Sequence, residues 1–204
     1  MENTGSTEQL STAHTANPDG RLARGEKSRE KILSAVFSLY EQGVLVPTAQ
    51  QVADESGMGI RTVFRQFSDM EALYVQGDAI LQQRFLERPV FKPEGDLEQR
   101  IQQLVNNRFN VFEDYAPYIR STLVQVWRYE TLRNNYRVLV NGLRTLMFKS
   151  IPELKDKPKH VQCAAEAALG FEVWDRYRAQ NRLSKADTVE SMRVSLKALL
   201  ALEN

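Results

Sequence analysis

Four polar residues lie close together in the chain at the spacing of one helix face, namely Arg61, Thr62, Arg65 and Gln66. Arginine can donate two parallel hydrogen bonds to a guanine, glutamine can pair with an adenine, and threonine can contact a base edge or a phosphate. This group therefore predicts direct reading of DNA bases. The alternative is that the four residues form an ordinary solvated helix surface.

Residues that commonly carry catalysis or bind metals are scarce. Cys163 is the single cysteine of the 204 residues, so no intramolecular disulfide can form. His14 and His160 stand far apart, and no G-x-S-x-G, P-loop or G-x-G-x-x-G pattern occurs. We therefore predict no catalytic residue, no metal site, no cofactor and no enzymatic activity. A helical enzyme built around His160 or an acidic group is the alternative.

The elements that would position the polar group follow from local signals. Thr48 followed three residues later by Gln51 fits a capping box, which predicts a helix over residues 49–56. Gly57 can adopt the left-handed conformation of a tight turn, so the helix should end there. A second helix is predicted over about 60–67.

Apolar periodicity and proline positions predict an all-α chain of about nine helices. Residues 1–24 are polar and are interpreted as a disordered tail. Pro117, Pro152 and Pro158 are taken as helix ends. The other predicted helices cover residues 28–43, 70–87, 96–114, 117–130, 132–150, 158–181 and 187–202.

The block from Gln51 to Phe67 has the spacing of a helix-turn-helix. Ala53 lies four residues before Gly57 and Val63 lies six residues after it. In such a unit the alanine lets two helices cross closely, the glycine turns the chain, and the valine packs back onto the preceding helix. The opposite face of residues 60–67 would then be free to enter a major groove.

Together with the predicted helix before it and with Phe64, Phe67, Glu71 and Leu73 at the spacing F-x-x-F-x-x-x-E-x-L, this block makes residues 28–75 similar to the TetR/AcrR family of regulators. The resemblance implies an N-terminal three-helix helix-turn-helix DNA-binding domain (25–74) and a C-terminal helical ligand-binding and dimerisation domain (75–204). A regulator of this kind is expected to bind double-stranded DNA, and as a homodimer it would recognise a palindromic operator. Because no apolar run could span a membrane and the polar N-terminus has no apolar signal-peptide core, a cytoplasmic location is expected. Such a regulator is commonly a repressor controlled by a small-molecule effector, whose identity the resemblance does not give.

Three positions depart from the family pattern, which usually has Tyr at Phe64, Lys at Met70 and Ser or Thr at Gly59. Each departure removes a polar group, so affinity should depend more on other contacts. One source is the segment 21–31, which carries five basic and two acidic residues, a net +3, and could lie along phosphates. The candidate DNA-binding residues are Thr48, Gln50, Arg61, Thr62, Phe64, Arg65 and Gln66.

The C-terminal part carries most of the aromatic residues, and the resemblance implies that it encloses an effector pocket. Plain core packing is the alternative for such residues. Arg108 falls on the apolar stripe of its predicted helix, where a guanidinium needs a partner. It could pair with Glu166 or Glu172, extend to water, or anchor an acidic or carbonyl-bearing effector. The candidate effector-binding residues are Arg108, Phe112, Trp127 and Trp174.

The last two predicted helices are expected to form a homodimer interface through about residues 158–202. The first is rich in alanine, and the second carries more apolar surface than a terminal helix of a monomer needs. No run is long and apolar enough to span a membrane. A different class of function also fits this sequence, a helical adaptor with a degenerate helix-turn-helix that binds protein instead of DNA.

Overall fold

The computed structural model describes residues 18–89 and 91–202, and within them the chain forms nine α-helices. None of these helices is both long enough and apolar enough to cross a membrane. The helices are α1 Pro18–Glu41, α2 Ala49–Ser56, α3 Ile60–Gln66, α4 Met70–Leu86, α5 Leu97–Leu123, α6 Glu130–Ser150, α7 Lys159–Ala168, α8 Phe171–Asp175 and α9 Lys185–Ala201.

The start of α1 differs from the sequence prediction. The helix begins at Pro18, whereas the apolar stripe placed its start near Ser28. Residues 18–24, predicted to belong to a disordered tail, are helical. A proline with fixed φ is tolerated in the first turn of a helix, and Leu22 and Arg24 are exposed, so this turn lies beyond the apolar stripe on which the prediction rested. The rest of the predicted tail, residues 1–17, lies outside the described part of the chain.

Pro117 lies inside α5, so the prediction of two helices, 96–114 and 117–130, is wrong. A proline removes one helical hydrogen bond and usually breaks a helix. Here Ala116 and Ile119 are buried on either side of it. Apolar packing of both halves against the same core therefore outweighs the lost hydrogen bond, and one helix runs from Leu97 to Leu123.

The predicted helix 158–181 is also interrupted. It is divided by Leu169 and Gly170 into α7 and α8, and α8 continues as a π-helical segment, Arg176–Gln180. A Cβ atom on Gly170 would approach the Ala167 carbonyl oxygen to 3.1 Å. The close backbone approach at this break therefore favours glycine.

Helices α1 to α4 enclose a small core of their own. Ile32 and Val36 of α1 pack there against Val52 of α2, Val63 of α3 and Phe67 directly after α3. The short α2 and α3 obtain their stability from this burial, since isolated helices of this length are marginal in water.

The remaining helices enclose a larger core around α5, and the two cores meet at that helix. Tyr115 packs against both of them. The Tyr118 hydroxyl donates a hydrogen bond to Glu41, and Ser121 Oγ donates one to the Leu45 carbonyl oxygen at 2.9 Å. Helix α4 crosses the predicted domain boundary between residues 74 and 75 without a break.

Candidate nucleic-acid interface and neighbouring cavities

Helix α2 begins at an exposed, fully formed capping box. The Thr48 side chain accepts a hydrogen bond from the Gln51 backbone N–H at 3.3 Å, and the Gln51 side chain accepts one from the Thr48 N–H at 2.9 Å. Gly57 ends the helix with φ 65°, the left-handed conformation that its sequence position predicted. The free N–H groups of the first turn and the positive end of the helix dipole favour an anion near Thr48.

Helix α3 buries one side and exposes the other. Val63 and Phe67, one helical turn apart, are almost completely buried in the small core. Arg61 and Arg65 lie on the outer side and are exposed, and the Phe64 side chain is 47% exposed. Among the described residues, neither arginine forms a salt bridge, so both guanidinium groups can bind an external acceptor.

Three other candidate DNA-binding residues are less accessible or already hydrogen-bonded. Thr62 and Gln66 are half-buried beside the exposed group. Gln50 is exposed, but its side-chain amide donates a hydrogen bond to Asp54 at 2.7 Å. Reading a base through Gln50 therefore requires that this contact within α2 be given up.

Arg29 does not belong to a free basic arm, as its place in segment 21–31 suggested. Its Nη1 donates to the Gln66 carbonyl oxygen at 2.7 Å, its Nη2 donates to Gln76 on α4, and its guanidinium covers the Phe67 ring at 4.3 Å. The side chain thus closes the carboxyl end of α3. Arg24, Lys27 and Lys31 are exposed and keep the arm's positive charge at the surface.

A cavity of about 230 Å³ lies between α4, α5 and α6, and we call it the α4 cavity. Its lining is mostly apolar, with Asp78 as its carboxylate. Burial raises the pKa of Asp78, and hydrogen bonds from Asn135 and Gln82 act in the opposite direction. The bond from Asn135, 2.7 Å long, joins α6 to α4.

A second cavity, of about 330 Å³, lies between α5, α6 and α7, and we call it the Arg108 cavity. The Arg108 side chain is 2% exposed, which excludes the expectation that it extends to water. Neither expected acid pairs with it. Glu166 forms its salt bridge with Arg144 at 3.3 Å, and Glu172 accepts a hydrogen bond from the Tyr136 hydroxyl at 2.7 Å.

The structure brings together only two of the four predicted effector residues. Arg108 and Phe112 both line the Arg108 cavity. Trp174 is buried in the larger core, with its ring 5.8 Å from Phe112, and it lines neither cavity. Trp127 is 87% exposed in the turn after α5 and also lines neither cavity, because α5 continues through Pro117 and carries this turn out into solvent.

The arrangement of helices is similar to that of two solved structures. A transcriptional regulator from Rhodococcus sp. Rha1 matches with a TM-score of 0.67 and 16% identity, over 85% of this chain and 96% of that one. A protein from Mesorhizobium loti assigned to the TetR family of transcriptional regulators matches with a TM-score of 0.57 and 18% identity, over 87% and 97%. The chain has the TetR-regulator fold. No protein-family model and no curated protein matches the sequence.

In this TetR fold, one face of the last helix, α9, packs against other helices of the same protomer. Met192 and Leu196, which lie within the predicted interface 158–202, are buried against α5 and α7. Fewer apolar side chains of α9 are exposed to solvent than the sequence pattern predicted. Val194 is 51% exposed, and Ala198 and Ala201 are exposed as well.

Sequence reasoning missed Asp78, although a signal for it exists. Asp78 lies four residues after Tyr74 and three before Leu81, and both of these neighbours are buried. It therefore falls on the apolar stripe of α4, as Arg108 falls on that of α5. The same test of helical periodicity that singled out Arg108 would have found this carboxylate.

Proposed function

We propose that the protein is a sequence-specific DNA-binding transcriptional regulator of the TetR/AcrR family, a repressor whose operator affinity is controlled by a small molecule. The observation that carries the proposal is the two-sided burial of α3. Val63 and Phe67 fix the helix on the small core, and Arg61, Phe64 and Arg65 are presented outward. Outward arginines on the second helix of a helix-turn-helix are suited to the major groove.

The capped start of α2 supports the same surface. Its exposed first turn can bind a backbone phosphate beside the groove, which would set the register of α3 on the duplex. Phe64 can make apolar contact with a thymine methyl group. The fold of the two similar structures, both transcriptional regulators, agrees with this use.

We infer that the protein acts as a homodimer through α7 and α9, within residues 158–202. Val194, Ala198 and Ala201 give α9 a small, apolar outer side that a second copy could cover. A twofold dimer presents two copies of α3 and would therefore recognise a palindromic operator.

Selection of bound duplexes from a random pool, followed by fluorescence anisotropy on the selected sequence, tests the proposal. A palindromic consensus is expected, and affinity should fall steeply as salt rises, because phosphate contacts release counterions. Arg61→Ala and Arg65→Ala should each weaken binding by about 1–3 kcal/mol and relax preference at one base position. Arg137→Ala, at an exposed position on α6, is the matched control and should leave affinity unchanged.

Two results would count against the proposal. Recovery of no preferred sequence, with weak binding that is insensitive to salt, would favour a protein-binding adaptor instead. Unchanged affinity and base preference in both arginine variants would remove α3 as the reading element.

A further inference from the structure

Arg108 is a buried guanidinium with unused donors. Its Nη2 donates to the Leu143 carbonyl oxygen on α6. Its Nε and Nη1 are fully buried and have no protein acceptor. Burial lowers the pKa of Arg108 to about 10, against a raising effect from Glu166, so the side chain is charged at neutral pH.

A buried guanidinium with unused donors lowers the stability of the folded protein. A buried charge that lacks an opposite partner destabilises a folded protein, and a carbonyl oxygen supplies only part of the compensation. The two carboxylates that line the same cavity are bonded elsewhere, Glu166 to Arg144 and Glu172 to the Tyr136 hydroxyl. A ligand that brings its own negative group into the Arg108 cavity would supply what the protein lacks.

The charges around the cavity limit what that group can be. Its lining contains two arginines, Arg108 and Arg144, and two glutamates, Glu166 and Glu172, which sum to zero. A monoanion would bring this sum to −1 and could pair directly with Arg108. A phosphate dianion would bring it to −2 beside the two glutamates, which disfavours a dianion. Carboxylate geometry also matches the guanidinium, whose N–H groups can donate two parallel bonds.

The neighbouring α4 cavity can hold the rest of such a molecule. The two cavities share three lining residues, Phe112, Tyr136 and Leu139, so they lie side by side. Phe85, Val111 and Ile119 give the α4 cavity an apolar wall. An apolar body placed there would adjoin α4, the helix that also closes the small core beneath α3.

We propose that Arg108 is the anchor for a monoanionic ligand, a small carboxylic acid whose apolar body extends past Phe112 and Tyr136 into the α4 cavity. As an effector assignment this rests on the proposed regulatory function. As a binding site it stands on the buried Arg108 and the paired cavities alone.

Calorimetric titration of the full chain without DNA tests the binding site. The probes are benzoate, phenylacetate and octanoate, with benzamide, phenylacetamide and octanamide as uncharged counterparts and phenyl phosphate as the dianion. At least one carboxylate is expected to bind at least about tenfold more tightly than its amide and than phenyl phosphate. If no carboxylate exceeds its amide, the proposal is overturned.

Arg108→Met supplies a second, independent readout. It replaces the buried cation with a shorter, flexible apolar chain, so the ligand-free variant should melt about 4 °C above the wild type, and the carboxylate preference should be lost. A lower melting temperature would mean that Arg108 is a structural residue and would overturn the proposal. Arg137→Met, at the exposed position on α6, should change neither quantity.

The two proposals can fail separately. If the acid binds but leaves operator affinity unchanged, the site stands and effector control fails. If operator binding is normal and no acid binds, the regulator stands and the carboxylate site fails.

Discussion

Arg29 on α1 donates a hydrogen bond from Nη1 to the carbonyl oxygen of Gln66, the last residue of α3, at 2.7 Å. The same guanidinium lies over the Phe67 ring. Because carbonyl groups at a helix end lack partners within the helix, this bond satisfies one of them and fixes the end of α3 to α1. The candidate reading helix is thus held from both the core side and its carboxyl end.

Arg29→Met should therefore lower the free energy of unfolding by about 1–2 kcal/mol, since a charge-assisted hydrogen bond and a cation–π contact are lost. Operator affinity should fall with it because α3 loosens. Urea denaturation and anisotropy measure the two effects. Lys31→Met, at an exposed position on the same helix, should leave stability unchanged. Weakened DNA binding with unaltered stability in Arg29→Met would make Arg29 a phosphate contact instead.

Gly57 and Gly59 should respond in opposite directions to the same substitution. Gly57 has φ 65° and Gly59 has φ −67°, and a Cβ atom at either position meets nothing within 4 Å. Gly57→Ser should destabilise the fold by about 1 kcal/mol through backbone strain. Gly59→Ser should stabilise it by about 0.5 kcal/mol, because serine can cap α3 and restricts the unfolded chain. The change in melting temperature gives the sign of each stability effect. Equal changes in the two variants would contradict the left-handed turn at Gly57.

Phe64→Tyr should strengthen operator binding. The ring is 47% exposed, so a hydroxyl group can be added without disturbing the core. The resemblance places a phosphate-binding tyrosine here, and one additional hydrogen bond of about 1 kcal/mol corresponds to roughly fivefold tighter binding. Phe64→Leu, which adds no donor, is the control for anisotropy. No gain in affinity from the tyrosine would place Phe64 away from the phosphate backbone.

Asp78→Asn should stabilise the protein at neutral pH. Burial raises the pKa of Asp78 in the folded state, so the unfolded chain releases this proton first and wild-type stability declines as pH rises above about 3.9, the ordinary aspartate value. The asparagine variant lacks this decline. Urea denaturation from acidic to neutral pH should show the two proteins converging at low pH and separating above it. Asp156→Asn, at an exposed position, is the control, and parallel curves would contradict the prediction.

Val194→Asp should weaken the proposed dimer. The side chain is 51% exposed in the protomer, so the substitution should not disturb folding, but it would place a charge in the apolar seam. A rise of at least about tenfold in the dimer dissociation constant is expected from sedimentation equilibrium. Val124→Asp, at a position that is 49% exposed after α5, is the matched control. An unchanged equilibrium would move the interface away from α9.

The helix-turn-helix could be predicted almost residue by residue because its signals are local. The capping box at Thr48 and the positive φ at Gly57 involve only a few neighbouring residues, and both are present in the structure. The all-α fold is confirmed as well, since its helical periodicity depends on the sequence alone.

The sequence predictions are wrong or incomplete where contacts between distant parts of the chain determine the local structure. Pro117 stays helical because both flanks pack on one core. The predicted helix 158–181 is interrupted at Leu169 and Gly170, where the close approach of the backbone favours glycine. Arg108 was found from its stripe, but its partner, the Leu143 carbonyl, is a backbone group that no sequence pattern marks. Trp127 was predicted to bind the effector only because it is aromatic, and the residue type does not determine whether a side chain points into a cavity or into solvent.

Helix α4 has a mechanical consequence for this molecule. It is a single rod of 17 residues, about 25 Å long. Leu73 near one end belongs to the small core, and Phe85 near the other end lines the α4 cavity. Because α4 has no break between these two residues, a displacement of Phe85 would tilt the helix as one unit. In the proposed twofold dimer, such tilts would change the distance between the two copies of α3 without bending either one.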